Sequence, residues 1–515
     1  MRLTYFVVFL TGLSIFLTQG LMIRECSALM GSTELVIIWI ATAHLLGLSI
    51  GYYFAKPMSN RWEQFLFAGT FIAYFSFPFL NRLLATYWAK SHNSHLTPIW
   101  IFIFVTFAGP PLLGRVIPLT IETLRCQKPL HGTPIKPIYL TELIGALFAL
   151  LLLLIIPPSR FDVLYTIHLI AFSGIATYSL RQTKIFFIAL TIFSCSFFSF
   201  FDSLHIWTLT QHYAQVLNRS TRHIQILASE YSPYQRVDIV GLRTNKNKYL
   251  YLNGVFFYGS KSLHFHNVMV AVLPQLMLET LSNQTLIVAG GSLNNVRHVW
   301  PLTKSLQVVE IDEAVTRLSR KWIQEPLGNF PTSWDLHIND GKHFLANSSS
   351  EYDVISIDVP IPLHLQTAML HSIRFFELAK AKLSRRGIFA ISLAGGLDDL
   401  TQHPRSKHRS AHRILSGLKS VFPFVYVIRI GGKDFAYGCL APLELTQTDL
   451  QNRMAQWLNK NNHSQEYAQD FPDMSLLENQ WIENQVKNVH PIRDGDLKLV
   501  WRLALKRWKE RFYPP

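Results

Sequence analysis

Glycines and acidic residues follow apolar runs at several points in the second half of the chain. Leu286–Ala289 is followed at once by Gly290-Gly291, and a second apolar run, Leu306–Val309, ends in Glu310. In a doubly wound sheet, glycines after the first strand let the backbone approach a ligand, and an acid closing the second strand accepts hydrogen bonds from ribose hydroxyls. The roughly 20-residue gap fits such a nucleoside site. An ordinary strand, turn, helix and strand remains the alternative, because the strict G-x-G-x-x-G pattern is absent.

Polar residues stand at three further predicted strand ends or turns, in Ser232-Pro233-Tyr234-Gln235, in Asp340-Gly341 and at Asp358. Ligands of open α/β sheets bind at the carboxyl ends of the strands. We therefore expect these groups to converge with Glu310 on one crevice. Taken singly, Asp340 could be a plain turn acid and Asp358 a helix or turn cap.

Strand and helix patterns alternate through this region, which predicts a mostly parallel α/β sheet. Its predicted strands are Leu286–Ala289, Gln307–Glu310, Asp335–Ile338, Asp353–Ile357, Gly387–Ser392 and Phe424–Arg429. A helix is predicted from His266 to Leu281. Before it, short apolar runs around an Asn253-Gly254 turn predict a small antiparallel β-domain.

The first two hundred residues are mostly apolar, which predicts an integral membrane protein. The candidate spans are Tyr5–Ile23, Glu34–Ala55, Phe65–Tyr87, Ile99–Ile121, Ile138–Ile156, Val163–Leu180 and Ile185–Phe201. Basic loop residues are concentrated on the side of Arg2, which favours a cytoplasmic N-terminus. Seven spans would then place the soluble half outside, and six would keep it inside. The formal net charge of +15 fits an anionic membrane surface, and no nucleic-acid-binding signature is present.

In the glycines and strand-end polar residues of its second half, the chain resembles the spermidine synthase family, the polyamine aminopropyltransferases. The matching stretches are SPYQ at 232–235, LIVAGG at 286–291, VVEID at 308–312, NDGKHFL at 339–345 and YDVISID at 352–358. The resemblance extends roughly from Ser229 to Tyr437. The N-terminal half is similar to the membrane region of the multi-spanning members.

The resemblance implies transfer of an aminopropyl group from decarboxylated S-adenosylmethionine to an amine, with methylthioadenosine as the leaving product. It implies that Glu310 holds the ribose hydroxyls, that Asp340 accepts from the adenine amino group and that Gln235 contacts the amine region. Asp358 would take the proton of the attacking amine, since an ammonium is not a nucleophile. The remaining predicted binding positions are His266, Gly290, Gly291, Ser292 and Gly341.

The sequence departs from the family pattern where the family has acids. The glycine loop GGGDG becomes Ala289-Gly290-Gly291-Ser292-Leu293, so Ser292 replaces a carboxylate that would face the donor's cationic end. In the family's D-x-x-D-P motif, Ile361 replaces an acid that grips the acceptor amine, and the Tyr-His-Glu segment becomes His266-Asn267-Val268. Each lost charge-assisted hydrogen bond is worth about 1.5–3 kcal/mol. A di- or triamine is therefore expected to bind poorly.

The predicted fold is an N-terminal transmembrane helix bundle, a small β-domain and a Rossmann-like, methyltransferase-type α/β domain. The predicted boundaries are 1–203 for the bundle, 204–222 for a linker, 223–260 for the β-domain, 261–447 for the Rossmann-like domain and 448–515 for a basic helical tail.

Three functions remain open: an aminopropyltransferase acting on an amine or another nucleophile, a transferase of intact S-adenosylmethionine, and a non-catalytic nucleoside-binding or scaffold protein. The predicted partners are a small-molecule nucleophile and the lipid bilayer, with no nucleic acid, and pairing of two chains is expected by analogy. No metal site is predicted, because His264 and His266 lack a third ligand.

Overall fold

The computed structural model describes residues 2–31, 34–56, 60–127, 135–179, 184–244, 247–260, 265–328, 330–359, 362, 365–397, 410–461 and 474–512. The chain divides into two compact units, Met1–Phe257 with Lys506–Pro515 (unit 1) and Tyr258–Leu505 (unit 2). The predicted fold class is confirmed: apolar helices precede a Rossmann-type α/β domain. The finer domain boundaries remain predictions.

Unit 1 begins with long helices. They are α1 (Arg2–Met30), α2 (Glu34–Tyr53), α3 (Asn60–Lys90), α4 (Leu96–Phe107), α5 (Pro110–Gln127), α6 (Ile135–Ile155), α7 (Phe161–Ser179) and α8 (Lys184–Val216). Within the described ranges, five segments are long and apolar enough to cross a membrane: Leu3–Met30, Glu34–Tyr53, Leu96–Cys126, Ile135–Ile155 and Pro158–Ser179. They correspond to five of the seven predicted spans. The other two, Phe65–Tyr87 and Ile185–Phe201, lie within α3 and α8 and remain predictions.

Glycines let pairs of these helices pack backbone against backbone. A Cβ on Gly145 of α6 would overlap the carbonyl oxygen of Phe9 in α1, and one on Gly12 of α1 would overlap that of Glu142. Gly47 of α2 makes the same kind of approach to Thr106 of α4, and Gly51 of α2 makes it to Pro111 of α5. These glycines therefore allow the helix backbones to approach each other closely.

A small antiparallel sheet packs against the ends of three of these helices through buried ions. Its strands are β1 (Ile224–Tyr231), β2 (Arg236–Leu242), β3 (Lys248–Leu252) and β4 (Val255–Gly259), in that spatial order. Arg82 Nη2 donates to Oε1 of Glu25 at 2.7 Å, and Arg236 Nη1 lies 3.7 Å from the same oxygen. Arg236 Nε donates to Asp238 at 2.9 Å, and the Tyr231 hydroxyl donates to Glu25. All four charged side chains are fully buried, so their two positive and two negative charges compensate each other.

His205 of α8 closes these contacts into a ring. Ser229 Oγ donates to Asp238 at 2.6 Å, so Oγ must accept from Nε2–H of His205, which lies 2.9 Å away. The other imidazole nitrogen, Nδ1, then accepts from Nη1 of Arg82 at 3.4 Å. The ring joins helices α1, α3 and α8 to strands β1 and β2.

Unit 2 is built on an eight-stranded sheet. Its strands are β5 (Ser282–Val288), β6 (Thr303–Glu310), β7 (Asp335–Ile338), β8 (Tyr352–Ile357), β9 (Leu383–Ser392), β10 (Phe424–Ile430), β11 (Lys433–Cys439) and β12 (Ser475–Leu476). The spatial order is β12-β10-β11-β9-β8-β5-β6-β7. Strands β7, β6, β5, β8 and β9 are parallel, whereas β11 pairs antiparallel with β9 and with β10. The strand order reverses between β5 and β8, which is where open α/β sheets bind ligands.

Helices cover both faces of this sheet. They are α9 (Phe265–Met277), α10 (Asn294–Val299), α11 (Glu313–Ser319), α12 (Gly341–Asn347), α13 (Leu365–Met369), α14 (Ile373–Ala381), α15 (Ser410–Val421), α16 (Gln447–Lys460), α17 (Asn479–Val486) and α18 (Leu497–Phe512). Phe375 and Phe376 of α14 pack with β8, β9 and α15 in one buried cluster. Val268–Leu273 of α9 and Trp457 of α16 belong to a second cluster. These two cores hold the strand ends of the candidate site in place.

Candidate nucleoside site at the strand ends

Glu310 ends β6 and is fastened to the backbone around it. Its Oε2 accepts the N–H of Gly291 at 2.9 Å, and its Oε1 accepts those of Ile311 at 2.8 Å and Asp312 at 3.1 Å. The side chain is 9% exposed. Burial raises the pKa of Glu310 to about 7, although the three N–H donors oppose that shift. The carboxyl group is thus held at the strand end with its orientation set by main-chain donors.

Neither Gly290 nor Gly291 has room for a Cβ atom. A Cβ on Gly291 would lie 2.5 Å from Oε2 of Glu310, and one on Gly290 would lie 2.9 Å from Ile287 Cγ2. The positions on either side of this segment, Ala289 and Leu293, adopt left-handed φ angles of 60° and 57°. Two residues with side chains thus adopt a backbone conformation that favours glycine.

Ser292 uses its polar groups inside the loop. Its hydroxyl accepts the N–H of Asn294 at 3.3 Å, and its carbonyl oxygen accepts from Nε2 of Gln324 at 3.1 Å. The residue is 1% exposed. The sequence predicts that Ser292 faces the donor's cationic end, and these contacts do not test that prediction.

Asp340 and Gly341 follow β7 and begin α12. Oδ1 of Asp340 accepts the N–H of His343 at 2.9 Å, so the side chain caps the helix. The side chain is exposed. Gly341 packs on β5, because a Cβ there would overlap Val288.

Asp358 follows β8 and is 3% exposed. Its Oδ2 accepts from Nδ2 of Asn267 at 3.1 Å and from Nδ2 of Asn295 at 2.9 Å. Its Oδ1 lies 3.3 Å from Nε2 of His266. The sequence predicted His266 at the site, but it assigned no role to the two asparagines. Asn295 lies at the start of α10, two residues after the glycine loop, and this position in the sequence could have identified it as a site residue.

Backbone hydrogen bonds bring these strand ends to one edge of the sheet. The carbonyl oxygen of Glu310 accepts the N–H of Asn339, the neighbour of Asp340, at 3.0 Å. The carbonyl oxygen of Val288, just before the glycine loop, accepts the N–H of Asp358 at 2.9 Å. Glu310, Asp340 and Asp358 therefore stand at the carboxyl ends of β6, β7 and β8, beside the loop that follows β5.

Gln235, His264 and Ile361 are the other residues that the sequence singled out. Gln235 belongs to unit 1, in the turn between β1 and β2, where its N–H donates to Ser232 Oγ at 3.0 Å and its carbonyl oxygen accepts the N–H of Ser232 at 2.8 Å. His264 lies outside the described residues, as does Ile361. In the part of the chain that the structure describes, no three His, Cys, Asp or Glu side chains are grouped as metal ligands.

Residues 250–430 match the family model described as the spermine/spermidine synthase domain. The C-terminal half of the chain carries a spermidine synthase domain. The polyamine aminopropyltransferase of Nitrosomonas europaea is 23% identical over 247 residues, which are 46% of this chain and 73% of that protein. The enzyme of the same name from Leptospira biflexa is 28% identical over 174 residues, 33% of this chain and 61% of that protein. The solved structure of a probable spermidine synthase from Corynebacterium glutamicum aligns with a TM-score of 0.41 at 17% identity, covering 53% of this chain and 97% of that one.

The raised pKa of Glu310 predicts a pH-dependent stability. The free energy of unfolding of the detergent-solubilised chain should fall as pH rises from about 5 to about 7, because the folded state holds a proton that the unfolded state has released. The contribution is on the order of 3 kcal/mol. Glu310→Gln should flatten this slope, measured as the unfolding midpoint at each pH, whereas Glu313→Gln at a nearby exposed acid should leave it unchanged. If the free energy of unfolding instead rose with pH over this range and Glu310→Gln removed that rise, the raised pKa of Glu310 would be contradicted.

The left-handed backbone at Ala289 predicts a stabilising glycine substitution. Ala289→Gly should raise the free energy of unfolding by about 0.5–1 kcal/mol, because the Cβ no longer opposes the positive φ. The matched control is Ala346→Gly on the exposed side of α12, which should lower it by about 1 kcal/mol. Denaturant unfolding of both variants measures the two effects. If both variants lost the same free energy of unfolding, the backbone at Ala289 would not be strained.

Proposed function

We propose that the spermidine synthase domain transfers an aminopropyl group from decarboxylated S-adenosylmethionine to a nucleophilic acceptor. The observation that carries the proposal is the arrangement of Glu310, Asp340 and Asp358 at the ends of three strands beside the glycine loop. That edge contains the switch point of the sheet, where ligands of this fold bind. The domain match over residues 250–430 and the relatives named polyamine aminopropyltransferase support the same activity.

Each strand-end acid has a separate task in this proposal. Glu310 accepts hydrogen bonds from the ribose hydroxyls, and Asp340 accepts from the adenine amino group. The acceptor nitrogen attacks the aminopropyl carbon, the carbon–sulfur bond breaks, and its electron pair stays on sulfur to give methylthioadenosine. Asp358 takes the proton that the nitrogen loses. His266, Gly290, Gly291, Ser292 and Gly341 line the bound donor.

Intact S-adenosylmethionine is the second candidate donor. Ser292 stands where the family has a carboxylate, so the negative repulsion that would disfavour the intact donor's carboxylate is absent at that position. A site that binds a nucleoside without catalysis is the remaining alternative, since the Glu310 oxygens already accept three backbone N–H groups.

We further propose that the helices of unit 1 span a membrane. Five of them are long and apolar enough, and α3 and α8 are taken as the other two spans. The small sheet packs at the end of α1 away from the N-terminus, on the side with fewer basic loop residues. By the positive-inside tendency, the N-terminus is cytoplasmic and the sheet lies on the other side.

Methylthioadenosine is the direct probe of the nucleoside site. It should raise the midpoint of thermal unfolding of the full chain in detergent micelles, by an amount equivalent to about 2.7 kcal/mol at a hundredfold excess over Kd. Glu310→Gln should weaken binding at least tenfold, and Glu313→Gln should not.

Incubation with each donor and an amine, followed by mass spectrometry, then distinguishes the three functions. Methylthioadenosine released from the decarboxylated donor supports the first proposal, and turnover of the intact donor alone supports the second. Binding without turnover of either leaves the non-catalytic protein, and no binding excludes the nucleoside site.

Membrane orientation is testable with reporters fused after Pro515. Alkaline phosphatase, which is active only outside the cytoplasm, should be active, and green fluorescent protein at the same position should remain dark. The opposite pair of results would require an even number of crossings before the sheet.

A further inference from the structure

The side chains that contact Asp358 are a histidine and two amides. We call Asn267 and Asn295 the amide clamp, because both donate Nδ2 to the same carboxylate oxygen. Both are over nine-tenths buried, at 7% and 1% exposure. None of the side chains recorded in contact with Asp358 in the described part of unit 2 is acidic. One carboxylate therefore supplies the negative charge of this cluster.

The clamp fixes the orientation of its own amides. A carboxylate only accepts hydrogen bonds, so Nδ2 of Asn295 must face Asp358, and Oδ1 of Asn295 faces away from it. That Oδ1 atom is buried without a hydrogen-bond partner in the described structure. On the preceding residue, Asn294 accepts from the Tyr258 hydroxyl at 2.9 Å through Oδ1, while its Nδ2 is also buried and has no hydrogen-bond partner among the described residues. One unused acceptor and one unused donor therefore lie on adjacent residues.

This pair of atoms discriminates between chemical groups. A hydroxyl or an amide both donates and accepts, so its hydrogen-bonding groups match an unused acceptor and an unused donor. An ammonium only donates and cannot accept from Asn294. A diamine would also bring a second positive charge that no acid of the clamp compensates, and burying an unpaired charge is strongly unfavourable.

We infer that the acceptor is a monoamine whose other polar group is an uncharged hydroxyl or amide. The inference rests on the proposed function and specifies the acceptor for the same site. The amine attacks the aminopropyl carbon and gives its proton to Asp358, as in the proposed transfer. Asn294 and Asn295 bind the uncharged group of the acceptor, and Asn267 is a positioning residue that helps to hold Oδ2 of Asp358.

Two compounds of equal length test the inference: 4-aminobutan-1-ol and 1,4-diaminobutane. Each is titrated calorimetrically into the full chain in detergent micelles with saturating methylthioadenosine, at one pH and ionic strength. The amino alcohol should bind at least tenfold more tightly than the diamine. Equal or tighter binding of the diamine overturns the inference, and so does the absence of binding by both. Failure of methylthioadenosine itself to bind is a different result, which removes the proposed function.

Variants of the amides connect the preference to these residues. Asn295→Asp adds the missing acid with little change of shape and should shift the ratio of the two Kd values at least tenfold toward the diamine. Asn267→Asp makes the same test if the first variant fails to fold, and Asn347→Asp on the exposed side of α12 is the matched control. A ratio unchanged in folded clamp variants would overturn the inference even if the wild type prefers the amino alcohol.

Discussion

The hydrogen bond from the Gly291 N–H to Glu310 is the contact on which the candidate site depends. It joins the loop after β5 to the end of β6, the two neighbouring strands on one side of the switch point. The contact requires a glycine, because a Cβ at position 291 would lie 2.5 Å from the carboxylate oxygen. The same loop requires left-handed backbone at Ala289 and Leu293, where L side chains are disfavoured. Positive φ angles at these two non-glycine residues indicate that the loop conformation is stabilised by the contacts around Glu310 and by the burial of Leu293.

The candidate site has three acids at neighbouring strand ends, and amides surround one of them. Glu310 accepts main-chain N–H groups and Asp340 caps α12, whereas Asp358 contacts Asn267, Asn295 and His266. An unpaired buried charge is far more unfavourable than a poorly filled volume, so the charges around Asp358 constrain what can be buried beside it more strongly than shape does. Unit 1 shows the same rule: the four buried charges around Glu25 are two pairs of opposite sign.

Strand patterns predicted the parallel part of the large sheet well. Asp335–Ile338 agrees with β7 at both ends, and the other predicted strands overlap β5, β6, β8, β9 and β10. The sequence prediction missed β11, which pairs antiparallel with β10 across the Gly431-Gly432 turn, and the two-residue β12. Strand β11 is a buried strand between β9 and β10, so it lacks the alternation that marks a half-exposed strand. The predicted helix from His266 to Leu281 ends at Met277, because the following residues turn into β5.

Residue types and their order along the chain determined which acids and glycines could meet. The apolar runs that end in Gly290-Gly291, Glu310 and Asp358 determined the parallel strands and the residues at their carboxyl ends. The apolar content of the first two hundred residues determined the long helices. Only the tertiary structure decided what each acid contacts. Glu310 accepts three main-chain N–H groups, Asp340 caps a helix, and Asp358 is held by asparagines 63 and 91 residues away in the chain. Hydrogen bonds between distant residues depend on how β8, α9 and α10 pack together, and no local pattern in the sequence encodes that packing.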